Sequence, residues 1–248
     1  MNTSEGIVLH AVRYGDTSVI VDIFTASHGA VAFIVRKPQN RHRSASGTAS
    51  GVVAAALQPL ALVEVTWNHN MKSDLQKPKE LVLSRAWTSL PFNPHKAAMS
   101  LFLGEFLWRA LRREERNESL FEYCIQALTW LDVSENDFAN FHIVFLLHLS
   151  RFLGFYPNAD DWRPGDYFDL RAATFVSMRP LHNDFLEPED AALLPNLLRV
   201  DVRSMRIVEM NGRQRGRVLE HITQFYRLHI PEFPEVRSLA VLADVFAS

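Results

Sequence analysis

The chain is almost without cysteine. Cys124 stands alone among 248 residues, which excludes an internal disulfide and any multi-cysteine metal site. No apolar run approaches the roughly 20 residues that a membrane-crossing helix needs. The opening Met1-Asn2-Thr3-Ser4-Glu5 lacks the basic-then-apolar layout of a secretory signal. A cytoplasmic chain without a membrane anchor is expected. Catalytic signatures are missing too: there is no Gly-rich Lys-Ser/Thr phosphate loop, no Gly-x-Ser-x-Gly elbow and no His-Glu-x-x-His pair. The 10 histidines are scattered. His142 and His148 share a helix but are six apart, off the i, i+4 spacing of paired ligands, and read as hydrogen-bonded core histidines. Asp160-Asp161 and Glu189-Asp190 read as solvated loop or helix-start residues, and Cys124 as packing on an apolar helical face. These absences weigh against an enzyme, and no cofactor is expected.

A further absence is local. No Asp or Glu occurs between Asp22 and Glu64. Inside that stretch Arg36, Lys37, Arg41 and Arg43 crowd together. The overall charge of −2 hides an asymmetry: residues 1–85 hold 9 Lys/Arg against 6 Asp/Glu, while residues 86–248 hold 17 against 22. Opposite signs in the two halves suggest a chain with one anion-binding end. The cluster also fits a plain solvated loop, since Ser44–Gly51 is low in complexity.

Short β-branched runs fill the first part of the chain. Gly6–Val12, Ser18–Phe24, Ala30–Val35, Leu60–Trp67 and Leu81–Leu83 predict five strands, with Tyr14-Gly15-Asp16 and His28-Gly29 as turns. Five close-spaced strands suggest a small antiparallel barrel or sandwich. Near residue 90 the period changes. Asn93-Pro94 is a helix start, because Asn caps free N–H groups and Pro suits the first helical position. Met99, Phe102, Leu103, Phe106, Leu107, Ala110 and Leu111 then recur at helical steps. A second amphipathic helix covers Leu120 to Leu131, and Phe138 to Leu153 predicts a buried helix that stops at Gly154 and Pro157. Residues 155–185 read as irregular, and helices are expected near 213–228 and 238–246. The expectation is an α+β chain of two domains, 1–86 and 87–248.

Particular residues then point to a family. Ser4-Glu5-Gly6-Ile7-Val8-Leu9, Tyr14-Gly15-Asp16-Thr17-Ser18, Ile23-Phe24-Thr25 and His28-Gly29 resemble the opening of the bacterial recombination mediator family RecO. So do Arg36-Lys37 and Leu57-Gln58-Pro59-Leu60 leading into Leu62-Val63-Glu64-Val65. The tail agrees, with Phe225-Tyr226-Arg227-Leu228-His229-Ile230-Pro231, Arg237-Ser238-Leu239 and Val241-Leu242. The ordered set spans essentially the whole chain. The resemblance implies an N-terminal five-stranded OB-fold barrel followed by an all-α C-terminal domain. It implies binding of single- and double-stranded DNA, annealing of complementary strands, and help in loading recombinase in the RecF pathway. Implied partners are RecR and the C-terminal tail of the single-stranded-DNA-binding protein. Two features depart from the family pattern. The four-cysteine zinc module that many members carry has no counterpart around Tyr156–Phe175, so no metal site is carried over. Pro38 replaces the usual Gly after the basic pair, which alters the loop path because Pro fixes φ and removes a donor.

On this reading Arg36, Lys37, Arg41 and Arg43 grip the sugar-phosphate backbone, positioning a strand without reading its sequence. Tyr14, Phe33 and Trp67 are candidates to stack on bases, the barrel core being the other place for each. An acidic tail ending in Phe would need an apolar slot beside a cation. Arg109 and Arg151 would supply the charge, with Leu103, Phe106 and Leu147 as walls. Two rivals remain: a scaffold that binds only proteins, and a nucleic-acid-processing enzyme with an unrecognised site.

Overall fold

A computed structural model describes residues 1–36 and 54–247. The chain is α+β, sheet-rich at its N-terminal end and mainly helical beyond it. It divides into two compact units, Met1–Asn93 with Ser100–Ile125, and Pro94–Met99 with Gln126–Ser248. The division cuts through helices α1 (Pro94–Leu111) and α2 (Glu118–Val133).

The first unit is built on six strands: β1 (Asn2–Tyr14), β2 (Ser18–Thr25), β3 (Gly29–Arg36), β4 (Leu62–Trp67), β5 (Leu75–Gln76) and β6 (Pro78–Arg85). Their order in the sheet is β5-β3-β2-β1-β4-β6. All neighbours are antiparallel except β5, which lies parallel to β3. The expected five-stranded barrel is therefore corrected. Among the described residues the sheet has six strands and is open, because its edges β5 and β6 do not pair with each other. The additional strand has only two residues, too few to show a period. It is held by the buried Gln76 side chain, which accepts from the Asn70 N–H at 2.8 Å and donates to the Asn70 carbonyl at 3.0 Å. Strand β6 is also longer than expected, since the exposed Lys79, Glu80 and Val82 mask its alternation.

One face of the sheet carries the core, with Val8, Val21, Ile23, Phe33, Val63, Val65 and Trp67 all fully buried. The hairpins close on Gly15 and Gly29, at φ 64 and 70, a region that side chains rarely enter. At Gly29 a second demand is added. A Cβ there would stand 2.3 Å from the Glu114 carbonyl oxygen, and the next amide, Ala30 N–H, donates to that same oxygen at 2.9 Å. Cys124 is buried in this unit, and burial pushes its thiol pKa well above the ordinary value. It is packing, not a nucleophile.

The second unit is organised around α3 (Phe141–Phe152), with α4 (Pro188–Ala191), α5 (Leu194–Arg199), α6 (Gly212–His229) and α7 (Ser238–Ala247). Helix α3 is buried nearly all round, as its sequence predicts. The Tyr226 hydroxyl donates to the Leu146 carbonyl at 2.7 Å, tying α6 to it. Asn211 and Gln214 form a reciprocal cap at the start of α6, which satisfies amides that the first turn leaves free. Lys96 is buried and donates to the carbonyls of Asp132 and Ser134, capping the end of α2.

The second correction falls here, because this region is not all helix. Strands β7 (Tyr167–Asp169), β8 (Thr174–Val176) and β9 (Phe185–Leu186) form a small antiparallel sheet inside the stretch read as irregular. Phe168 packs on Phe175 beneath it, at 5.0 Å between ring centroids. A polar clasp closes the ends. Asp184 accepts from Arg171 Nε at 2.7 Å and from Gln224 Nε2 at 2.8 Å, and His182 meets Asp169 at 3.3 Å. Strands this short, ordered by side-chain bonds from remote positions, leave no periodic trace in the sequence.

Two predictions follow from these contacts. Gly29→Val should destabilise the protein by at least about 2 kcal/mol, the sum of a left-handed backbone penalty and a backbone clash; urea unfolding monitored by circular dichroism measures it. Burial and the nearby Arg215 push the His142 pKa down to about 3, so the unfolded chain takes up this proton first as pH falls. Stability should therefore drop as pH goes from about 6.5 towards 3, with a slope of up to about 1.4 kcal/mol per pH unit from this group. Below the ordinary carboxylate range Asp184 adds to the loss, because bonds from Arg171 and Gln224 hold its pKa low in the fold. His142→Gln should flatten the upper part of that profile in denaturant titrations at stepped pH.

Candidate nucleic-acid interface

Strands β1, β2 and β3 present their second face away from the sheet core. Their register sets residues on it in rows: His10, Asp22 and Ala32; then Val12, Ile20 and Ile34; then Tyr14, Ser18 and Arg36. Two helical segments cover the first of these rows and the strand positions beyond it. Trp108 of α1 donates its indole N–H to Asp22 at 2.8 Å and stacks on His10 with ring centroids 4.1 Å apart. Phe121 of α2 meets Phe24, and Gly104 lets α1 approach Pro59 and the Leu9 carbonyl. Past Trp108 the face opens. Val12 is 46% exposed and Tyr14 56%, and Arg36 ends β3 in the open.

The residues read from the sequence as DNA contacts divide accordingly. Arg36 is exposed at the end of β3; Lys37, Arg41 and Arg43 lie outside the described residues. Of the three aromatic candidates, Phe33 and Trp67 belong to the core, packed edge to face at 5.3 Å. Tyr14 alone of these presents its ring to solvent. The sequence reading missed His10, Asp22 and Trp108, whose arrangement needs the cross-strand register and a remote helix. The period-2 series His10, Val12, Tyr14 was the one available signal.

The residues expected at a partner slot are placed differently. Leu103, Phe106 and Arg109 belong to the first unit, and Leu147 and Arg151 to the second. Leu103 and Phe106 are fully buried and Leu147 nearly so. Arg109 pairs with Glu105 one helical turn away, its side chain only 11% exposed. Leu147 lines an apolar cleft of the second unit with Phe168, Leu186, Leu194, Ile222 and Phe225. Arg151 is exposed, its guanidinium 5.9 Å from the centre of the Tyr156 ring. Among the described residues no group of three His, Cys, Asp or Glu side chains is placed to hold a metal ion, and no helix is long and apolar enough to cross a membrane.

Comparison with known proteins places this arrangement. Residues 1–86 match the family model described as Recombination protein O N terminal, and residues 91–239 the one described as Recombination protein O C terminal. The chain is 45% identical over 242 residues to the DNA repair protein RecO of Bacteroides fragilis, covering 97% of each chain. It is 42% identical to the RecO of Phocaeicola vulgatus and 33% to that of Azobacteroides pseudotrichonymphae, covering 98% of each chain in both cases. The class is thereby defined as a DNA repair and recombination protein. The chain belongs to the RecO family, which bears out the resemblance read from its sequence.

The buried walls carry a prediction of their own. Phe106→Ala should lower stability by about 3–5 kcal/mol, the usual range for emptying a packed aromatic site. Arg151→Ala should stay within about 0.5 kcal/mol, as an exposed substitution does. Parallel urea titrations compare the two.

Proposed function

We propose that the protein binds single- and double-stranded DNA through its sheet unit, anneals complementary strands, and helps load recombinase at gaps in the cytoplasm. It makes and breaks no bond in doing so. RecR and the acidic tail of the single-stranded-DNA-binding protein are its partners on this reading, the tail drawn to the exposed charge of Arg151.

One observation carries the DNA-binding part. The acid-free run from Ile23 to Val63 contains all of β3, and β3 delivers Arg36 into solvent immediately before Lys37, Arg41 and Arg43. Arginine suits this task because its planar fork meets phosphate oxygens two at a time. Contacts to phosphate alone are blind to sequence, which is what the annealing of any complementary pair requires. Local charge matters more than the chain's total of −2, because beyond about 8–10 Å exposed charges are screened at ordinary salt.

The test is the salt dependence of binding. For single strands each lost phosphate contact should flatten the log–log slope by about 0.7, so replacing all four cations by Ala should flatten it by up to about 3. Fluorescence anisotropy with a labelled oligonucleotide across a salt series provides the slope, and strand-annealing kinetics on the same variant should slow in step. An unchanged slope would overturn the assignment.

A further inference from the structure

We infer that Asn2, Ser27, His28, Trp67 and His69 form an acid-labile latch: it holds the β2–β3 turn against the ends of β1 and β4 while His28 is neutral, and lets go when that ring takes up a proton. The latch stands apart from the DNA-binding reading. It lies where β3 begins, whereas Arg36 ends that strand, about 23 Å further along an extended chain.

Hydrogen-bond direction sets the protonation state, because amide and indole N–H groups only donate. The Asn2 side-chain amide reaches His28 Nε2 at 3.5 Å, so Nε2 accepts. The proton of the neutral ring is then on Nδ1, which donates to Ser27 Oγ at 2.7 Å. The Trp67 indole donates to His69 Nδ1 at 3.4 Å. The His28 and His69 rings stand 5.2 Å apart, and His28 meets Trp67 edge to face at 5.0 Å. Both nitrogens of His28 are thus committed to the neutral form, and a proton on Nε2 sets donor against donor at Asn2. The turn itself is bolted in series. The His28 N–H donates to Thr25 Oγ1 at 3.1 Å, that hydroxyl donates to the Gly29 carbonyl at 2.9 Å, and the Ser27 N–H donates to Ser4 Oγ at 3.2 Å. The next amide, Ala30 N–H, is the one that bonds the Glu114 carbonyl. Release of the turn therefore also loosens the seat of the segment joining α1 to α2.

The surroundings oppose a charge on His28. His69 faces it from the chain after β4, and Arg116 from the segment joining α1 to α2; among the described residues no carboxylate answers them there. Glu5 meets the turn through its carbonyl, which accepts from the Ala26 N–H at 3.0 Å. Glu114 and Glu115 meet it through their backbone, and the Glu114 carboxylate accepts from Asn117 at 3.3 Å. Burial first, and then His69 and Arg116, push the His28 pKa below its ordinary 6.5. An opened turn takes up the proton before a closed one does. The latch is therefore fully effective above about pH 6.5 and weakens as pH falls below it.

The test is hydrogen–deuterium exchange of the full chain, followed by mass spectrometry across a pH series and corrected for the intrinsic exchange rate. Protection of residues 26–31 and 112–117 should fall by about 3- to 10-fold per pH unit below about pH 6.5, tenfold being the limit that one proton sets. His28→Gln cannot take up the proton, and should abolish the fall in these two segments while leaving the rest of the exchange profile as it is. An NMR titration of the His28 ring in the wild type does not depend on the variant folding, and its midpoint should lie below 6.5. A midpoint at or above that value overturns the latch. So does protection of the two segments that is indifferent to pH, or a fall that persists in a folded His28→Gln chain.

Discussion

Strand β1 is the member on which the first unit depends. It is hydrogen-bonded on both edges, to β4 through Asn2–Ile7 and to β2 along Gly6–Tyr14. Between Val8 and His10 its register shifts, and such a bulge bends a strand and tightens its twist. Just there the partner on one side leaves. Ala61 and Leu60 make the last bonds to Val8, at 3.0 and 2.7 Å, with Leu60 at a positive φ of 63. Among the described residues, β1 beyond the bulge is paired only with β2. One strand thus serves as a central element of the core and then as one arm of the β1–β2 hairpin.

What the helices do follows from this. They lie over the outer face as far as the Trp108 indole, which Asp22 holds and His10 stacks against. The bulge brings His10 opposite Asp22, so the same local irregularity that frees the hairpin also builds the seat for the tryptophan. Gly29 tightens the opposite end, where backbone meets backbone too closely for any side chain. Between these two fixtures the helical segments have a defined reach, and the row of Val12, Ile20 and Ile34 lies past it.

Much of this was legible in the residues. The turns at Gly15 and Gly29, the first three strands and the helix beginning at Pro94 follow from local chemistry that survives in any context. The family was legible too, through an ordered series of short motifs. Strands β5, β7, β8 and β9 were not, because two or three residues carry no period; Gln76 and Asp169 bond to amides a few residues away, and Asp184 is reached from Arg171 and from the remote Gln224. The residues expected at a partner slot are a different case. Leu103 and Phe106 stand on the apolar stripe that the sequence itself marked as core, and Glu105 precedes Arg109 by the four residues at which opposite charges pair on a helix. Those signals argued for burial and neutralisation and were outweighed by an expectation about a partner. Of the residues proposed to contact DNA, Arg36 is where its strand pattern puts it, whereas telling Tyr14 from Phe33 and Trp67 needed knowledge of which face each strand turns inward.

The lone, deeply packed thiol has a practical side. With Cys124 sealed in the interior and its ionisation suppressed, the described exterior offers thiol-directed maleimide and iodoacetamide reagents no thiol to attack. A dye or cross-linker attached through one introduced cysteine, for instance Ser18→Cys in the middle of the open rows, would occupy a single known address. The native fold is thus already the blank background that single-molecule and distance measurements ordinarily have to engineer.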